Sequence, residues 1–185
     1  MGKKKYKKFK KEQKKLEKVC AKERKKKGYS RMDVWNINSW FIQIMPKILK
    51  EFKKGLHGYP SQLGTDGKDG AKEWEKILDH MIFLLHEMNE DKCSQKNKYE
   101  EEWWNNYQEF EKKYGLFGKK LLTEEEKAEA KKTGATRAHF PQELPEYKDT
   151  TENFLKRERE LALYRDKCKD DFFDLFKEYF WDLWD

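Results

Sequence analysis

With 185 residues, 42 Lys+Arg against 35 Asp+Glu and only 36% hydrophobic residues, the chain is too charged for a compact sheet protein and has the length of one domain. Seven Trp, twelve Phe and nine Tyr exclude a disordered chain, because disordered segments are poor in aromatics. The formal charge of +7 is unevenly placed: residues 1–28 carry +12 and the remainder −5, a layout that suits a polyanion, an acidic protein surface or a membrane as partner for the first segment.

Residues 1–28, MGKKKYKKFKKEQKKLEKVCAKERKKKG, are rich in the helix formers Lys, Glu and Ala. Phe9, Leu16, Val19 and Cys20 make only a thin apolar stripe. The expectation is a basic N-terminal arm over 1–28, helical or partly disordered, because like charges repel along it. Tyr6 and Phe9 interleave with Lys3, Lys4, Lys5, Lys7, Lys8, Lys10 and Lys11, the candidate polyanion-binding residues. Lysine neutralises phosphates without reading bases. Arginine serves base recognition better, and Arg24 stands alone here, so nucleic-acid binding by the arm would be non-specific. The acidic residues Asp170, Asp171, Asp174, Glu178, Asp182 and Asp185 compete for the same lysines.

A helix start is expected at Tyr29–Asp33, where Ser30 and Asp33 have capping-box spacing. Trp35, Ile37, Trp40, Phe41, Ile44, Ile48, Leu49 and Phe52 follow at helical intervals. Pro46 falls among them and predicts a kink near 42–46, or two helices meeting there, since an interior proline costs ~3 kcal/mol. Asp33, Trp35, Asn36, His57 and Tyr59 are the candidate ligand-binding residues, polar groups among aromatics near that bend. The plainer reading has Asp33 capping and Asn36 and Gln43 facing water. The loop 61–70 contains DGKDG, which lacks the spacing and terminal Glu of a calcium loop.

Residues 71–89 predict a central helix with Trp74, Ile77, Leu78, Met81, Ile82, Leu85 and Met88 on one face. A second helix is expected over 98–114, stopped by Gly115 and Gly118, and a short polar one after Thr123. Residues 133–149 read as a connecting strap. From 150, capped by Thr150 or Thr151, a long aromatic C-terminal helix runs to 185. The fold class is therefore all-α: an irregular helical bundle with a kinked early helix and a Lys-rich N-terminal arm, 29–185 forming a single helical domain. Phe172, Phe176, Phe180 and Trp184 at the end of the last helix suggest a homo-oligomer contact.

Catalytic chemistry is not written in the residues. GxGxxG, GxxxxGK[ST], GxSxG and HExxH are missing from the sequence, and His80 and His86 are six apart on their helix. A metal-dependent enzyme would have to draw on Asp33, His57, Asp79 or His80. The expectation is no catalytic residue, metal or cofactor, and no enzyme. Cys20, Cys93 and Cys168 make no disulfide framework or CxxC pair. With no apolar leader and no apolar run near ~20 residues, the expected setting is cytoplasmic, without membrane partners.

The pattern YSxxDxWxxxxWxxxxxPxxLxxF, then GYP, then WxxILDxM is carried by Tyr29, Ser30, Asp33, Trp35, Trp40, Pro46, Leu49, Phe52, Gly58, Tyr59, Pro60, Trp74, Ile77, Leu78, Asp79 and Met81. Over residues 29–90 it resembles a family of small phage-encoded proteins. The resemblance implies a bacteriophage source, hence a host-cell cytoplasm, and an accessory role in infection. Two functions follow as expectations: a non-enzymatic binder, such as a host-defence antagonist that sequesters a small anionic, nucleotide-like ligand or a host protein, and a non-specific nucleic-acid binder using the arm.

Overall fold

The computed structural model describes residues 3–64 and 69–184, the side chains of Lys3, Lys4 and Lys5 excepted. Asp66, Gly67 and Lys68 of the DGKDG stretch lie outside the described residues. Seven α-helices follow in order: α1 (Lys3–Lys27), α2 (Arg31–Trp35), α3 (Ile37–Lys54), α4 (Gly70–Glu87), α5 (Glu100–Tyr114), α6 (Glu124–Thr133) and α7 (Pro145–Glu178). Short 3₁₀ turns fill three of the connections, a fourth follows α7, and the described residues contain no strand. The chain divides into two compact units, Met1–Lys92 with Asp171–Asp185, and Cys93–Asp170.

In the first unit α3 packs on α4, as their apolar faces require. Leu49 of α3 is buried, as is an α4 face of Trp74, Leu78, Met81, Ile82 and Leu85. The last turns of α7 close this core. Phe172 lies edge-on to Phe41 at 5.9 Å and stacks on Phe176 at 5.5 Å, and Tyr179 tilts against Trp74 at 5.3 Å. Two helices do meet in the early segment, but at Asn36 (φ −140°, ψ 71°) rather than at the proline; α3 runs on through a buried Pro46. Asp69 caps α4 by accepting from Lys72 N at 3.2 Å. Gly70 follows because a Cβ there would collide with the Tyr59 ring.

In the second unit α5 and α7 are joined by rings. Trp103 stacks on Phe154 at 4.5 Å, and Phe110 meets Tyr147 edge-on at 6.1 Å. α7 begins at Pro145, five residues before the expected threonines, because proline fits the first helical turn. Thr151 instead donates back to the Tyr147 carbonyl at 2.9 Å, and Thr150 donates to Glu102. The buried or half-buried positions Tyr147, Thr151, Phe154, Glu158, Leu161, Arg165 and Cys168 recur every three or four residues, so this stretch of α7 buries one face.

The strap 134–144 is pinned by His139. Its Nδ1 lies 2.7 Å from Glu143 and its Nε2 3.1 Å from Glu126, which in turn closes the capping box with Thr123. Those two carboxylates raise the imidazole pKa, Glu143 most, against the opposing effect of burial. A raised histidine stabilises fully below its unfolded value of ~6.5, and the benefit is lost as pH rises through the folded value. Wild type should therefore exceed His139→Gln in stability at pH 6, with the gap narrowing toward pH 9; urea melts at both pH values check this.

Candidate functional site

α1 is a helix whose two ends differ. Its C-terminal turns are fastened to α2. Arg24 makes a two-pronged pair with Asp33, Nε to Oδ2 at 2.9 Å and Nη2 to Oδ1 at 2.6 Å. Arg31 reciprocates onto Glu23, through Nη2 at 2.6 Å and its backbone N–H at 2.9 Å. Cys20 is buried one turn earlier.

The preceding turns carry a lysine face. At 100° per residue Lys7, Lys10, Lys11, Lys14, Lys15 and Lys18 fall within about 140° of one another, over about 16 Å of helix. Their stems line one trough. Among the described residues none of the six forms an ion pair, so the acidic C-terminal segment does not neutralise them; Asp182 accepts from Gln62 at 3.1 Å instead. Lys10 alone has a ring partner, its Nζ 5.0 Å from the Tyr6 centroid. Lys8 falls about 20° beyond the Lys15 edge of this face and does not line the trough. The candidates named singly from the sequence end at Lys11; Lys14, Lys15 and Lys18, within the same expected arm, continue that face at spacings of three and four.

Of the five residues expected around a bend, Asp33 and Asn36 cap helices and Tyr59 lines a cleft. Asp33 is 8% exposed and completes a capping box: its Oδ2 accepts from Ser30 N at 2.7 Å while Ser30 Oγ accepts from Asp33 N at 3.4 Å. The Arg24 guanidinium, with those Ser30 bonds, holds the Asp33 carboxyl well below the usual carboxylate range against the cost of its burial. Asn36 caps α3, its Oδ1 accepting from Ser39 N at 3.4 Å. Trp35 is 85% exposed, and His57 is exposed. Tyr59 lines a cleft of about 280 Å³ with Gly58, Pro60, Ser61, Trp74, Asp182 and Trp184, a lining that does not include the other four. The plainer reading, Asp33 capping with Asn36 and Gln43 toward water, describes the observed positions.

Removing Asp33 by Asp33→Ala should cost about 1–2 kcal/mol, from the lost cap and the lost charged hydrogen bonds. A depressed carboxylate contributes above its unfolded pKa of ~3.9 and loses that contribution as pH falls through its folded value. Thermal melts should show the gap between wild type and variant shrinking as pH falls below about 4.

Of the residues a metal enzyme would need, Asp79 pairs with Lys53 at 2.7 Å and His80 stacks on Phe83. Among the described residues no group of three or more His, Cys, Asp or Glu is placed to hold a metal ion. No described helix is long and apolar enough to cross a membrane. Of the aromatics expected at a subunit contact, Phe172 is fully buried within the first unit, whereas Phe180 is half-exposed and Trp184 76% exposed. Comparison with known proteins finds no matching family model, no similar curated protein and no similar solved structure.

Proposed function

We propose that the chain is a non-catalytic binding protein whose ligand is a polyanion, engaged by α1. The observation that carries this reading is the lysine face itself: six cations on one side of a helix, none with a carboxylate partner among the described residues. Such a row is costly when empty. Like charges three or four residues apart destabilise a helix by a few tenths of a kcal/mol each. A phosphate backbone relieves that repulsion and releases its own counterions at the same time. The docked C-terminal turns of α1 hold the face outward from the first unit through Arg24 and Glu23.

The resemblance of residues 29–90 sets the proposed scene in bacteriophage infection, where the polyanion is nucleic acid. Lysine offers point charges rather than the planar fork that reads guanine, so binding is independent of sequence. The test is fluorescence anisotropy with two unrelated labelled duplexes of equal length at low salt. Affinities within about threefold of each other, with a gain of helical circular dichroism on binding, support the reading. A strong preference for one sequence, or no binding to either duplex, rejects it.

A further inference from the structure

The second unit holds a site of different build. Asn97 is buried in the turn before α5. Its Nδ2 donates to the Phe154 carbonyl at 3.1 Å and to Glu158 Oε1 at 2.8 Å, while its Oδ1 accepts from Tyr99 N at 3.0 Å. The flanking residues Lys96 and Lys98 are thereby fixed beside α7. There Asn153, Lys156, Arg157 and Glu160, spaced i, i+3, i+4 and i+7, share one helix face. Arg157 is held from two sides, Nη1 donating to Glu160 at 3.0 Å and Nη2 to Gln95 at 3.1 Å. Together they enclose a cleft of about 410 Å³, with four cations against one carboxylate. Lys98 and Lys156 are exposed and form no ion pair among the described residues.

Lys98 also lines a second cleft, of about 540 Å³, with Glu100, Glu101, Trp103, Trp104 and Phe154. Trp103 is locked by its stack on Phe154. Trp104 is 51% exposed and lies parallel to Tyr107, 5.8 Å between centroids and 8° between planes. A cationic pocket next to an exposed indole is the pair of features that a phosphorylated base requires.

We propose that Lys98, Lys156 and Arg157 bind the phosphates of a nucleotide whose base lies against Trp104. The carboxylates set the polarity. Glu100 and Glu101 repel phosphate from the aromatic cleft and accept hydrogen bonds from an amino-bearing base edge, while the cations draw phosphate into the other cleft. The bound nucleotide is either free or the end of a strand; both present the same chemistry. This site is independent of the α1 face and takes one nucleotide rather than a backbone.

Isothermal titration of the full chain with ATP, UTP, sodium tripolyphosphate and a 5′-phosphorylated dinucleotide tests it. ATP should bind about tenfold more tightly than tripolyphosphate, through stacking, and more tightly than UTP, through its amino group. Lys98→Ala with Lys156→Ala should weaken ATP about tenfold or more; Trp104→Ala should remove the advantage over tripolyphosphate and leave tripolyphosphate itself unchanged. All three residues are exposed, so circular dichroism should show these variants folded. A chain with Lys7, Lys11, Lys14 and Lys18 changed to Gln should keep ATP affinity within about twofold, which separates this site from polyanion binding by α1. Whichever of ATP and the dinucleotide binds more tightly names the source. Heat from ATP that survives Lys98→Ala/Lys156→Ala but vanishes in the α1 variant overturns the proposal, as does no binding by the intact chain.

Discussion

Replacing Phe172 by alanine is expected to destabilise the first unit by ~3–5 kcal/mol, the range for emptying a buried phenylalanine site. The ring is 0% exposed. It meets Phe41 and Phe173 edge-on, at 5.9 and 5.2 Å, and stacks on Phe176 at 5.5 Å, so its removal deprives three rings of a neighbour. Rings so arranged contribute ~0.5–1.5 kcal/mol per pair beyond the area they bury. Against a total stability of ~5–15 kcal/mol this is a large fraction. Urea melts should show a lower midpoint with little change in slope, and Phe172→Leu should recover more than half the loss. The same variant separates two roles for the residue. Were Phe172 a contact between copies, the alanine would lower the mass in light scattering and leave the melt of the single chain alone. A homo-oligomer joined through the last helix has Phe180 and Trp184 as its exposed candidates, and Trp181 beside them, 83% exposed.

The second large effect belongs to the lysine face. Changing Lys7, Lys10, Lys11, Lys14, Lys15 and Lys18 to glutamine removes six phosphate partners while keeping the stems that cover the helix. Each phosphate neutralised adds about 0.9 to the salt slope, so six carry about 10³-fold of affinity between 50 and 200 mM salt. Glutamine is a comparable helix former and ends the like-charge repulsion, so α1 should be as helical as before, or more so. A loss of binding with helicity kept assigns the effect to charge. The docking of α1 by Arg24, Glu23 and Cys20 is untouched by these changes.

Much of the helix layout was legible because it rests on local signals. The apolar period of α4 and the capping-box spacing of Ser30 and Asp33 both appear in the structure close to where the residues put them. The break in the early helix was misread by position. Pro46 drew the expectation, yet it lies buried inside a continuous α3, and two helices meet at Asn36, whose side chain competes for backbone donors. Thr150 and Thr151 looked like caps for a related reason: threonine offers the same hydroxyl to a cap or to a carbonyl one turn back, and Thr151 takes the second.

Sites were harder to read than helices. Asp33 and Asn36 have the composition of a binding pocket and the bonding of caps, a distinction that only partners and distances reveal. The face shared by Asn153, Lys156, Arg157 and Glu160 was visible as spacing but hidden in a helix charged nearly all round. Nothing in the sequence joins it to Lys96 and Lys98, about sixty positions away. The buried Asn97 makes that connection, and its role depends on a carbonyl of α7. The lysine face needed only the period of 3.6 carried about two turns further, from Lys11 to Lys18.

The most direct measurement is a salt titration of the intact chain on duplex DNA, following the association constant from 50 to 200 mM. Six lysines acting together give a slope of log K against log salt of about −5, reduced toward zero in the six-glutamine variant. A slope near zero for the intact chain, or the same slope for both proteins, would contradict the binding role given to α1.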